Sequence, residues 1–158
     1  MVRTHHMTRR SALAFIAAAL SAPAYSAPAQ ATAVLVHKDP YCGCCAGWVQ
    51  HLKGAGFAVT VEDTFDLQSV RARLGVPSDL AACHTAEVGG YVIEGHVPAA
   101  AVRQLLEKRP VAVGLAVPGM PTGSPGMEGG TPQKYDVVLF GAEGRQPFMR
   151  FLGSEIAT

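Results

Sequence analysis

The chain has 158 residues, 13 basic and 12 acidic side chains, and a formal charge of +1. Without the leader described next, which takes Arg3, Arg9 and Arg10 with it, the balance turns slightly acidic and holds no basic run. That composition argues against nucleic acid and against an anionic membrane surface as partners.

The N-terminus reads as an export signal. Arg3, Arg9 and Arg10 precede Ala12–Leu20, an apolar run too short to span a bilayer. Small residues follow, and both Ala22-Pro23-Ala24 and Ala24-Tyr25-Ser26 suit a signal peptidase. Thr8-Arg9-Arg10-Ser11 keeps the twin-arginine route open beside the general secretory one. The expectation is a signal peptide over 1–26, one domain over 33–153, a periplasmic location and no membrane insertion once the signal is removed. The roughly 130 residues left are the size of a single domain.

Ala33–His37 reads as a buried strand ended by Asp39-Pro40. Cys45, Trp48, Val49 and Leu52 follow at i, i+3, i+4, i+7, one face of a helix running from Cys42 to about Lys53. Phe57, Val59 and Val61 alternate as a half-buried strand does. Asp66 is placed to cap a helix with Leu67, Val70 and Leu74 on one face, stopped by Gly75 and Pro77. Tyr91–Val97 reads as a tight hairpin turning at Glu94-Gly95. Pro98 suits the first turn of a third helix with Val102, Leu105 and Leu106 inward. An apolar run (Val111–Val117), a long loop (Pro118–Pro132) and a final hairpin (Tyr135–Phe140 with Pro147–Phe151) complete the chain. A strand leading into a Cys-rich turn at a helix start is the thioredoxin-like arrangement. The fold class expected is therefore α/β, thioredoxin-like, with a C-terminal β-hairpin extension and a long Pro/Gly/Met loop.

Three of the four cysteines, Cys42, Cys44 and Cys45, stand within four residues, and the fourth, Cys83, precedes His84. Such clustering points to metal or redox chemistry rather than packing. Thiolates at a helix start are favoured by free N–H groups and the helix dipole. A redox pair needs only Cys42 and Cys45, and Cys44 would interfere with exchange between them. In a thiolate cluster the extra sulfur is an asset. Adjacent Cys44 and Cys45 diverge by about 100° on a helix of ~3.6 residues per turn, which suits bridging of several Cu(I) ions better than one tetrahedral zinc. Thiolate sulfur is the soft donor that selects Cu(I).

The Pro118–Pro132 loop repeats Pro-Gly-Met at Pro118–Met120 and Pro125–Met127, and thioether is also a Cu(I) ligand. Met120, Met127 and His84 are therefore secondary candidates. His37, His51 and His96 are assigned to local hydrogen bonding, and Trp48 to the core. Glu62, Asp63 and Asp66 read as a solvated edge and a helix cap. Gly89-Gly90 lacks the strand–helix context of a nucleotide loop.

Several ordered motifs carry a family resemblance. They are Lys38-Asp39-Pro40-Tyr41-Cys42-Gly43-Cys44-Cys45 with Trp48 and His51-Leu52, Cys83-His84-Thr85-Ala86, Gly90–Pro98, Pro118–Pro121 and Gly123–Glu128. With these the chain resembles the CopG-like periplasmic copper-resistance proteins, a metal-binding family long catalogued as a domain of unknown function. The resemblance covers about Val34 to Gly153. It implies a thioredoxin-like fold, a copper site at the cysteines, and copper efflux or copper oxidase systems as neighbours. Two functions stay open: an exported protein holding Cu(I), with more than one ion allowed, and a thiol-disulfide or copper oxidoreductase using Cys42 and Cys45.

Overall fold

The structure is a computed structural model that describes residues 30–157 besides Met1. The expected leader thus lies, but for Met1, outside the described residues. Among the described residues no helix is long and apolar enough to cross a membrane.

The protein is mixed α/β. Strand β1 (Ala33–Lys38) leads into helix α1 (Gly43–Gly54) and strand β2 (Ala58–Asp63). Helix α2 (Leu67–Leu74) and a 3-10 turn (Ser78–Leu80) come next, then β3 (His84–Val88), β4 (Tyr91–Glu94) and helix α3 (Ala99–Lys108). Strands β5 (Gly114–Ala116), β6 (Lys134–Gly141), β7 (Gly144–Leu152) and β8 (Glu155–Ile156) close the chain. All eight strands form one sheet in the order β2-β1-β3-β4-β5-β6-β7-β8. The pairs β1/β2 and β4/β5 are parallel and the others antiparallel. The two parallel pairs are those bridged by helical crossovers, α1 and α3, as a parallel connection requires.

Strand alternation sorts the two faces. His84, Ala86 and Val88 of β3 and Tyr91 and Ile93 of β4 share the face covered by Trp48, Val49 and Leu52 of α1 and by Ala101, Val102 and Leu105 of α3. Val92 and Ala116 point the other way, into a smaller cluster with Val76, Leu80 and Phe140. The apolar helix faces read from the sequence are these core faces, except in α2, which buries none of its residues fully. Asp66 caps α2 as expected, its Oδ1 accepting the Ser69 N–H at 3.0 Å.

One expectation is corrected. The hairpin turns at Gly89-Gly90, not at Glu94-Gly95, and it pairs β3 with β4; His96-Val97 is not a strand. Both glycines hold positive φ (54° and 87°), the backbone that a two-residue turn of this hand demands and that glycine supplies. The expected C-terminal hairpin is present, and β5 joins it edge to edge with the rest, so it prolongs the one sheet.

The Pro118–Pro132 loop is packed onto the start of α1. Gly126, at φ 86°, sits against the Cys44 carbonyl and the Trp48 amide, and an added Cβ would lie 2.7 Å from Trp48 N. Gly47 meets it from the helix side, where a Cβ would lie 2.9 Å from Gly126 Cα. The loop is further closed by Gly123 N–H to Met127 O (2.8 Å) and Met127 N–H to Ser124 O (2.7 Å). Gly126→Ala therefore combines a left-handed φ with a backbone clash. It should lower the unfolding free energy by about 1–3 kcal/mol, the usual range for overpacking, and speed proteolysis within 118–132. Denaturant titration and limited proteolysis check this; unchanged values in both would refute the close packing.

Candidate metal and thiol site

The site begins with a turn. Asp39 Oδ1 accepts the Tyr41 N–H (2.7 Å) and Asp39 O accepts the Cys42 N–H (3.1 Å), which aims the chain into α1 with Cys42 as N-cap. Cys42 and Cys44 are half-buried at the rim and Cys45 is fully buried beneath them. Cys42 and Cys45 form a disulfide. Cys44 stays a free thiol with its Sγ 3.5 Å from Cys42 Sγ.

Cys83 arrives from the loop ahead of β3. Its carbonyl oxygen lies 3.5 Å from Cys45 Sγ, and its own Sγ lies 3.2 Å from Met120 Sδ. Two donor groups result, each with all its atoms within 4.8 Å of one another: Cys42, Cys44 and Cys45, and Cys44, Cys83 and His96. Cys44 belongs to both. All four cysteines expected at the site thus gather there, and Met120 reaches it. Met127 is half-buried in the loop turn. His84 falls in neither donor group.

Cys83 is held in place by a buried acid. Glu94 is fully buried, and its Oε1 accepts from the Ala82 N–H (2.6 Å) and from Arg71 Nε (2.9 Å) while Oε2 accepts from the Thr85 hydroxyl (2.6 Å). Arg71 Nη2 also donates to the Ala82 carbonyl. Burial pushes the Glu94 carboxyl above its ordinary range, and the bonds from Thr85 and Ala82 and the Arg71 charge pull against that rise. The arrangement fastens the residues on both sides of Cys83. Burial also raises the Cys83 thiol to about 11, helped by Cys44 beside it, so a cation or other positive group must enter before Cys83 is a good thiolate.

The inner wall is aromatic. The Trp48 ring lies tilted against His84, centroids 4.3 Å apart, and His84 meets His96 edge-on at 5.1 Å. Trp48 Nε1 donates to Val97 O at 2.8 Å. Both His84 ring nitrogens are buried without a hydrogen-bond partner, and burial, with His96 adding to it, lowers its pKa to about 3. His96 differs: its Nδ1 lies 2.8 Å from the Pro125 carbonyl, and its Nε2 is buried with no partner. Local hydrogen bonding, expected of His96, is replaced by a bond to a carbonyl 29 residues later, and the residue lies in the donor group with Cys44 and Cys83. His51 Nε2 accepts the Ala99 N–H (3.0 Å) at the start of α3, and burial lowers its pKa although Glu128 raises it.

A mixed α/β frame with a cysteine-rich helix start and a buried histidine behind it is the class of protein defined here. Two solved structures, both titled copper resistance protein CopG, are similar to this chain at 44% identity with a TM-score of 0.73. Form 2 matches over 77% of this chain and 99% of its own, Form 1 over 78% and 100%. The family model described as "Protein of unknown function, DUF411" matches residues 80–127, the span holding Cys83, His96 and Met120. A search of curated proteins finds no match. The chain belongs to the CopG copper-resistance protein family.

Two outcomes follow from this geometry. Glu94→Ala leaves Arg71 without its partner and should cost about 3–5 kcal/mol of stability, as breaking a buried ion pair does, measured by urea unfolding. Secondly, His84 is held neutral in the fold while its unfolded pKa is near 6.5. The unfolded chain then binds the extra proton, so stability falls as pH drops below about 6.5 and continues to fall towards about pH 3. The slope from His84 is at most about 1.4 kcal/mol per pH unit. His84→Phe should flatten the pH dependence between pH 6.5 and 5 in denaturant titrations of the metal-free protein; an equally steep profile would refute the assignment.

Proposed function

We propose that this is an exported copper-binding protein that holds Cu(I) at Cys42, Cys44, Cys45 and Cys83, with more than one ion, in copper resistance. One observation carries the reading: four sulfurs from two distant chain segments converge, with a thioether from Met120 beside them. Thiolate and thioether are the soft donors that favour Cu(I), and the unpartnered His96 Nε2 fits a nitrogen donor at the same point. The solved relatives are titled copper resistance proteins, which supports copper as the cargo. The element order β1-α1-β2-α2-β3-β4-α3 over the strand order β2-β1-β3-β4 supports a thioredoxin-like frame for residues 33–153. Residues 1–26 serve as the leader on this reading, with a periplasmic destination. Met127 and His84 remain secondary candidates, and copper efflux or copper oxidase components are the partners.

A second reading has its own support. The Cys42–Cys45 disulfide favours a thiol-disulfide or copper oxidoreductase in which that pair cycles between dithiol and disulfide. Binding by all four sulfurs requires the reduced pair, so the two readings differ in whether the cycle is turned over.

Cys44→Ser separates them. It should lower the copper content of the reduced protein by at least one ion per chain while leaving Cys42 and Cys45 able to form their disulfide. Anaerobic metal analysis with thiol counting measures both. A full copper load in Cys44→Ser would sink the cluster reading, and disulfide reductase turnover that survives in Cys44→Ser but is lost in Cys42→Ser would favour the enzyme.

A further inference from the structure

We infer that this protein pairs with a second copy of itself through the outer edge of β2, antiparallel strand against strand, with Thr60 on the two-fold axis. Neither the cysteines nor copper takes part. β2 ends the sheet, and among the described residues no strand pairs with its outer side. Ala58 N–H donates to Thr32 O and Thr64 N–H to Lys38 O, so the even-numbered residues of β2 turn towards β1. Val59, Val61 and Asp63 therefore turn their N–H and C=O groups outward. The two edges of the sheet differ. β8 is a two-residue strand, whereas β2 runs for six residues in regular register, without a proline, lysine or bulge. Shortness, lysine, proline and bulges are what blunt an edge, and an edge lacking them invites another strand.

A second copy fits because this edge is self-complementary. Opposite residues of an antiparallel pair share a face. Centring the register on Thr60 sets Val59 against Val61 of the second copy on the helix side, where they exchange their outward N–H and C=O bonds. On the other face Thr60 meets Thr60, and Ala58 meets Glu62. No carboxylate then opposes a carboxylate. The ends of the strand also differ in charge. Asp39, Glu62, Asp63 and Asp66 gather at its end, where Lys38 is already paired with Asp63 at 2.9 Å. Lys53 and Arg103 stand at its start, Arg103 Nη2 donating to the Ala55 carbonyl. A two-fold rotation lays the acidic end of each copy on the basic end of the other.

The exposed aromatics agree with this register. Tyr41 and Phe65 are 87% and 77% exposed, with ring centroids 6.2 Å apart, beside the start of α1 and just past the end of β2. Continued beyond Asp63, the register carries Phe65 to Ala55 and Gly56 of the second copy. There Ala55, Gly56, Phe57, Arg103 and Leu106 line a cavity of about 330 Å³, between the end of α1 and α3. Each copy seats its aromatic pair at the other's cavity, as an isologous contact requires. Aromatic anchors in pockets are where binding energy concentrates.

Sedimentation equilibrium of the protein after export, kept metal-free with a chelator, tests this across micromolar to millimolar concentrations. Non-reducing gels check for covalent dimers. Wild type should be a reversible dimer. Thr60 is exposed, so Thr60→Lys and Thr60→Glu should fold normally by circular dichroism. Each sets like charges against each other on the axis and should weaken association at least about tenfold. Mixed in equal amounts, the two variants should restore the dimer, because Lys then faces Glu. Phe65→Ser should weaken association by about tenfold or more through loss of its anchor. Should either Thr60 variant fail to fold, Phe65→Ser decides alone. A monomer at every concentration, a dimer indifferent to the Thr60 or Phe65 changes, or no recovery in the mixture overturns the inference. So does a dimer that requires copper or an intermolecular disulfide. None of these outcomes touches the copper reading.

Discussion

A carboxylate with no solvent around it governs this structure. Charge in a protein interior is tolerated only when nearly every lone pair is occupied. Glu94 meets that demand with the Thr85 hydroxyl, the Ala82 amide and the Arg71 guanidinium, drawn from β3, the preceding loop and α2. The same guanidinium turns back to the Ala82 carbonyl. Satisfying one acid therefore fixes a stretch of backbone that no strand or helix hydrogen bonding would fix. Cys83 is the residue after Ala82, so the position of the fourth sulfur is a by-product of a solvation requirement met next door.

The opposite wall obeys a different constraint, close approach. Gly47 and Gly126 let the backbone of the Pro118–Pro132 loop touch the first turns of α1, where any side chain would hold them apart. That contact brings the Pro125 carbonyl to His96 and leaves Met120 beside Cys83. Trp48, on the buried face of α1, fills the space behind with His84 and His96. Donors from α1, the loop before β3, the segment after β4 and the long loop are thus held by elements whose own geometry is settled by packing, as a preorganised site requires.

Much of this was legible. The i, i+3, i+4, i+7 spacing from Cys45 to Leu52 is the face that packs on the sheet, and the clustered cysteines mark where chemistry concentrates. The misplaced hairpin turn has a physical cause: Glu94-Gly95 and Gly89-Gly90 are both good turn pairs, and Glu94 in an apolar run looks like an exposed corner. Its buried pairing with Arg71, 23 residues earlier, reverses that inference. His96 is hard to read from the sequence for a similar reason. Its ring is oriented by a carbonyl 29 residues later, a contact that local spacing does not reveal. The disulfide belongs to another category, since Cys42 and Cys45 have the same spacing whether bridged or free.

The disulfide also says something about purpose. Cross-links stabilise mainly by shortening the reach of the unfolded chain, and the gain grows with loop length. Cys42 and Cys45 are three residues apart, so their bridge restrains almost nothing. A bridge placed where it contributes so little to folding has to be explained by its sulfur chemistry. Cys45 is sealed in the core while Cys42 sits half-buried at the rim, so an incoming thiolate reaches Cys42 first and Cys45 is the leaving sulfur. Cys44 stands beside the reacting atom and belongs to both donor groups. The third cysteine thereby stands between the pair and the remaining donors, a placement that a plain two-cysteine redox turn lacks.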